Sequence, residues 1–205
     1  MLITEIKPGK RNTYYIFVEN EFLFSAYEDI LYKYSLEVNK EVDEDTLIEA
    51  QKEQNIMYAK NKALDILSRA AVSEKALFNK LVTKGIDKDA AAVAVAYAKD
   101  YGYINDEALL PDIIKHLIND KKYGKQRIFS YLYSKGFDKE LISTALEDTE
   151  DDPTERLVIL IEKEKADMND RKAVSKLYAK LQRKGYSFSQ IKAAMRKFTD
   201  MEFEE

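Results

Sequence analysis

Leu132-Tyr133-Ser134-Lys135-Gly136-Phe137 is the stretch that decides the architecture, because its pattern returns twice in the chain, as Leu81-Val82-Thr83-Lys84-Gly85-Ile86 and Leu181-Gln182-Arg183-Lys184-Gly185-Tyr186. The three glycines stand 51 and 49 residues apart, so a unit of roughly fifty residues repeats. Each phrase reads as a helix ending. Glycine takes the left-handed position just past the helix, the next apolar residue folds back onto the leucine, and the lysine cation suits the negative end of the helix dipole. Three matching helix stops at one spacing predict a tandem helical array.

Working outward from these stops, each unit reads as three helices. The first, over 57–104, has helices at Ala59–Leu67, Glu74–Lys84 and Lys88–Tyr101, with Ser73 and Asp87 as N-caps. The second, over 105–152, has Glu107–Asn119, Lys125–Lys135 and Lys139–Leu146, the last capped by Asp138. Pro111 is expected to kink the first of these or to move its start. Glu147–Asp152 reads as an acidic, solvated hinge. The third unit, over 153–198, opens with Asp152-Pro153 as N-cap and N1 proline. Its helices are expected at Pro153–Ala166, Arg171–Lys184 and Phe188–Phe198, with Ser187 and Gln190 as a capping box. Residues 199–205 form an acidic tail.

The first 56 residues follow a different pattern. Leu2–Ile6, Thr13–Glu19 and Phe22–Ala26 are short and rich in Ile, Val, Tyr and Phe, which predicts strands joined by a tight Asn20-Glu21 connection. Ser25 to Glu28 matches a capping box for a short helix, and a second helix is expected to start near Asp43. The fold class is therefore mainly α: three three-helix repeats behind a small α+β element.

The 205 residues are 45% hydrophobic and 34% charged, enough to bury a core. No run approaches the ~20 apolar residues of a membrane span, no signal-peptide core opens the chain, and cysteine is absent. The expected setting is the cytoplasm. The net charge of −4 conceals a polar distribution. Residues 1–57 carry 6 basic against 12 acidic side chains, whereas residues 168–198 carry nine basic residues against Asp170 alone. Residues 113–135 are also basic, with Lys115, Lys121, Lys122, Lys125, Arg127 and Lys135 against Asp120. A solvated helix face normally mixes both signs, so these segments are read as a surface for an anionic partner. Tyr123, Tyr131, Tyr133, Tyr178 and Tyr186 are interleaved with the cations; packing is the expectation for Tyr178 and Tyr186.

Chemistry for catalysis is sparse. His116 is the one histidine, which excludes His-based triads and multi-histidine metal sites, and the six glycines form neither phosphate-loop pattern. No catalytic residue, metal or cofactor is assigned, and an enzyme is not expected.

Several segments resemble the RecX family of regulatory proteins. They are Ala63-Leu64-Asp65-Ile66-Leu67-Ser68-Arg69 with Ser73-Glu74-Lys75-Ala76-Leu77, then Tyr101-Gly102-Tyr103-Ile104-Asn105-Asp106-Glu107, then Tyr123-Gly124-Lys125-Gln126-Arg127-Ile128, with Lys135-Gly136-Phe137 and Lys184-Gly185-Tyr186 behind them. Residues 1–56 are similar to the N-terminal extension of Gram-positive members. Two departures stand out: Ala70-Ala71-Val72 where the family often carries further bases, and Pro111. The resemblance implies an elongated, curved array that binds the RecA recombinase filament on single-stranded DNA. It implies inhibition of RecA's ATPase and strand exchange, and so control of recombination and DNA repair. A monomer is expected, with no membrane partner. On the charge census, the contact residues are Lys121, Lys122, Lys125, Arg127, Lys176, Lys180, Arg183, Lys184, Arg196 and Lys197. The alternative is a DNA-binding helical array that acts without RecA.

Overall fold

The computed structural model describes residues 1–198, and the acidic tail expected over 199–205 lies outside the described residues. The chain divides into two compact units, Met1–Ile104 and a second beginning at Asn105.

The first unit opens with strands β1 (Ile3–Pro8), β2 (Thr13–Val18) and β3 (Glu21–Tyr27), paired antiparallel in that order. The turn between β2 and β3 is Glu19-Asn20, one residue earlier than expected, and both residues are left-handed (φ 50° and 68°). That is the turn whose twist matches a two-residue hairpin, achieved here without glycine. Ile16 pairs with Ile6 on one side and Phe24 on the other. Period-two alternation then buries Ile3, Ile16, Val18, Phe24 and Ala26 on one face. Helices α1 (Glu28–Lys33) and α2 (Glu44–Leu67) follow. Ile30 from α1 and Leu47 and Ala50 from α2 join the buried sheet face. Ser25 does not cap α1: it lies within β3, and Tyr27 at the N-cap makes no side-chain capping bond.

Helix α2 is where sequence and structure differ most. Two helices were expected on either side of residue 57, but one helix runs through, begun by the Asp43 carboxylate accepting from Thr46 N–H at 2.8 Å. No glycine or proline interrupts 44–67, so nothing in the chain stops it. Its N-terminal half packs on the sheet; its C-terminal half gives Ala59, Ala63 and Ile66 to a second core with α3 (Glu74–Thr83) and α4 (Lys88–Asp100). Ala90, Ala91, Ala94 and Ala98 of α4 are buried in that core. Side chains this small let the two helices approach closely, and an added isobutyl group would force them apart.

The second unit contains α5 (Asp106–Asn119), α6 (Lys125–Ser134), α7 (Lys139–Glu147), α8 (Pro153–Glu164), α9 (Arg171–Arg183) and α10 (Phe188–Met195). Pro111 sits inside α5, which starts at Asp106 under an Asn105 cap and continues past the proline. Leu110, Ile114, Ile128, Leu132 and Ile142 form the α5–α7 core; Leu157, Leu177, Leu181 and Ile191 form the α8–α10 core.

The repeated phrase behaves as its residues dictate. Gly85, Gly136 and Gly185 have φ of 82°, 91° and 90°. In each, the residue after glycine donates back to the leucine carbonyl: Ile86 to Leu81, Phe137 to Leu132, Tyr186 to Leu181. Gly85, Gly136 and Gly185 donate in turn to Val82, Tyr133 and Gln182, completing the Schellman pattern.

Candidate functional site: a cationic seam between the second and third repeats

The loop before α6 and the loop after α9 meet at their backbones. Gly124 N–H donates to the Lys184 carbonyl at 2.8 Å. A Cβ on Gly124 would lie 2.3 Å from the Gly185 carbonyl oxygen, and one on Gly185 would lie 2.3 Å from Arg127 N, so neither position has room for a side chain. Around this contact the side chains lock in register. Lys184 Nζ donates to the Lys121 carbonyl at 3.2 Å, and the buried Tyr186 hydroxyl donates to the Lys122 carbonyl at 2.9 Å.

Tyr186 also accepts from Arg156 Nε at 3.5 Å, and Arg156 forms a fork with Asp151, its Nη2 donating to Oδ2 at 2.8 Å. The Arg156 and Asp151 side chains are only 10% and 6% exposed. The carboxylate holds the guanidinium well above its ordinary pKa, and burial pushes the Tyr186 phenol up. The segment expected as a solvated hinge is therefore anchored at Asp151, because a buried cation on α8 demands an anion.

The seam gathers charge from two distant parts of the chain. Arg127 and Lys184 approach the Tyr123 ring at 5.7 and 5.5 Å from its centroid. Lys121 and Arg127 are exposed, Lys122 and Lys184 half-buried. Among the described residues none of these four pairs with a carboxylate. Cations held over one aromatic ring and left uncompensated form a surface that attracts anions, with the ring offering a partial counter-charge.

The other expected contact residues separate into two groups. Lys125 is exposed but its Nζ donates to the Leu146 carbonyl at 2.6 Å, where it caps the end of α7. Lys180 is tied to Glu164 at 2.5 Å. Lys176 and Arg183 are exposed on α9, on the same face as Lys180 and opposite Val174, Leu177 and Leu181. Arg196 and Lys197 are exposed just past α10, with Lys197 near enough to Asp152 to help hold that carboxyl below its usual range, behind its bonds to Thr154. Gly124 was missed as a seam residue. Its only signal was a glycine at a helix N-cap, a position where Ser, Thr, Asp or Asn would cap better. His116 is exposed and pairs with Asp120 at 2.6 Å on α5. Among the described residues no group of three or more His, Asp or Glu side chains gathers as a metal ion requires, and no helix is long and apolar enough to cross a membrane.

Capped three-helix units behind a small sheet, two of them joined through a seam that carries cations, define a helical-repeat protein. The chain belongs to the RecX family of regulatory proteins. Residues 1–43 match the regulatory protein RecX N-terminal domain, and residues 59–97 match the first three-helix domain of RecX. Regulatory protein RecX of Caldanaerobacter subterraneus subsp. tengcongensis is 32% identical, covering 95% of this chain and 98% of its own length. The Clostridioides difficile protein of the same name is 28% identical over 98% of this chain and 97% of its own. A crystal structure of regulatory protein RecX superposes with a TM-score of 0.69 at 21% identity over 95% of this chain and 98% of the other, which shows the fold. RecX from Lactobacillus salivarius superposes at 0.62 with 25% identity, over 70% and 96%.

Proposed function

We propose that this chain regulates the RecA recombinase by binding its filament on single-stranded DNA, inhibiting ATP hydrolysis and strand exchange. The RecX regulatory role comes from family membership; the partner is our reading. The observation that supports it is the pair Arg127 and Lys184 over the Tyr123 ring, beside the Lys121-Lys122 loop whose carbonyls the seam binds. Both the DNA phosphates and acidic recombinase surface are ligands for such a cluster. Lys176 and Arg183 on α9, with Arg196 and Lys197, add further exposed cations to the same unit. Contacts of modest individual strength then add up through effective concentration along a repeating filament. The reading places the protein in the cytoplasm, with its filament, and assigns it no catalytic step. The test is inhibition of RecA's DNA-dependent ATPase by the Lys121→Glu/Arg127→Glu variant. Inhibition should fall at least tenfold while helical content is retained; unchanged inhibition across a concentration series would remove the seam from the mechanism.

A further inference from the structure

Helices α3, α4, α6 and α9 are each followed by a glycine in the left-handed region, with φ of 82°, 70°, 91° and 90° at Gly85, Gly102, Gly136 and Gly185. After α5 the left-handed position falls to Lys122, at φ 54°. A lysine there carries the clash between Cβ and backbone that glycine avoids, so the conformation persists only where its surroundings hold it.

The groups that hold this loop lie on the third repeat. The Lys121 carbonyl accepts from Lys184 Nζ at 3.2 Å, the Lys122 carbonyl accepts from the Tyr186 hydroxyl at 2.9 Å, and Gly124 N–H donates to the Lys184 carbonyl at 2.8 Å. Of these three bonds, only that from Tyr186 falls on the left-handed residue itself. Its direction is fixed from behind. A guanidinium has donors only, so the phenol oxygen, 3.5 Å from Arg156 Nε, accepts from it and turns its own hydrogen to Lys122. Asp151 in turn holds Arg156. Lys165, the other left-handed lysine among the described residues (φ 47°), sits exposed at the end of α8, its N–H bonded to Glu162 of the same helix.

We propose that Tyr186 is a positioning residue for the seam. Its hydroxyl, aimed by Arg156 and Asp151, keeps Lys122 left-handed. The backbone so fixed sets where Lys121 and the Tyr123 ring, which Arg127 and Lys184 approach, are presented to the anionic partner. Tyr186 is buried, so it acts through the loop and not by contact. The third repeat thereby shapes a binding surface on the second. This inference rests on the regulatory reading above, and concerns how the charge is presented and not which partner receives it.

Tyr186→Phe removes the hydroxyl alone. The concentration of full-length protein that half-inhibits RecA's DNA-dependent ATPase should rise about fivefold, the factor that one neutral hydrogen bond is worth. In a Lys122→Gly background the same change should cost less than about twofold, because glycine is left-handed without a brace. Comparison within each background cancels whatever the Lys122 cation contributes. Lys165→Gly, at a left-handed lysine outside the seam, should leave the cost of Tyr186→Phe intact. Amide exchange reads the loop without RecA. Tyr186→Phe should speed exchange at Gly124 by a larger factor than at Leu132 of α6, which is buried in the core and opens with the whole unit. Equal costs of Tyr186→Phe with and without Lys122→Gly, or equal exchange factors at the two amides, would overturn the proposal. Wild type that does not inhibit RecA would instead remove the function read above, and the exchange factors alone would then decide whether Tyr186 holds the loop.

Discussion

Gly124 gives its backbone hydrogen to the carbonyl of Lys184, and the two loops come so close that a methyl group at Gly124 would sit 2.3 Å from the next carbonyl oxygen. One glycine, Gly185, thus ends a helix and serves as half of an interface. Gly85 has the same motif and a similar φ of 82°, yet a Cβ there would meet nothing within 4 Å. The contrast separates backbone strain from crowding. Gly85→Ala should cost about 1–2 kcal/mol, the left-handed penalty alone. Gly185→Ala should add the ~1–3 kcal/mol of overpacking, and Gly124→Ala should show the overpacking without the left-handed penalty. Urea denaturation of the three variants checks the ranking.

Asp151 and Arg156 form a buried pair, so removing one partner strands the other. Asp151→Ala should destabilise the second unit by about 3–5 kcal/mol. Glu150→Ala, at an exposed neighbour, should change stability by about 0.5 kcal/mol or less. Chemical denaturation followed by helical signal distinguishes the two. Equal, small effects would mean that the segment is the solvated hinge its composition suggests.

The Tyr186 phenol is neutral when it donates to Lys122, and burial raises its pKa above the ordinary 10.0. For a group whose folded value is raised, the contribution is present below the unfolded value and is lost as pH rises through the folded one. Tyr186→Phe should therefore cost about 1 kcal/mol at pH 7, and its deficit against wild type should shrink as pH climbs above about 10. Paired denaturation curves at neutral and alkaline pH measure the gap.

Local rules made most of the helical fold legible. The caps at Ser73, Asp87, Asp138 and Asp152 and the Ser187–Gln190 box all form as their residue types dictate. What escaped was what depends on distant partners. Continuity of α2 across residue 57 is settled by two cores sharing one helix, and no residue near 57 announces it. Burial of Asp151 depends on an arginine that composition places on a surface. Within the candidate site, the charge census found the cations but not their division of labour. Lys125 and Lys180 make ordinary structural bonds, whereas Lys121 and Lys184, 63 residues apart, meet only because two loops touch.

That division changes which charge reversals are informative. Lys180→Glu would set a second carboxylate beside Glu164, and Lys184→Glu would break the seam, so either confounds binding with stability. Lys176→Glu/Arg183→Glu alters exposed α9 positions. It should keep the helical signal, with stability changes of about 0.5 kcal/mol or less per site, and weaken RecA inhibition. A circular-dichroism melt beside an ATPase titration checks both halves.

The most direct test of the central claim is co-sedimentation with RecA filaments assembled on single-stranded DNA, run at a salt concentration that abolishes binding to the naked strand. A regulator that recognises the filament should pellet with it under those conditions, and Lys121→Glu/Arg127→Glu should remain in the supernatant. If wild type pellets only where it also binds naked DNA, the protein is a DNA-binding array that acts without RecA, and the account is wrong.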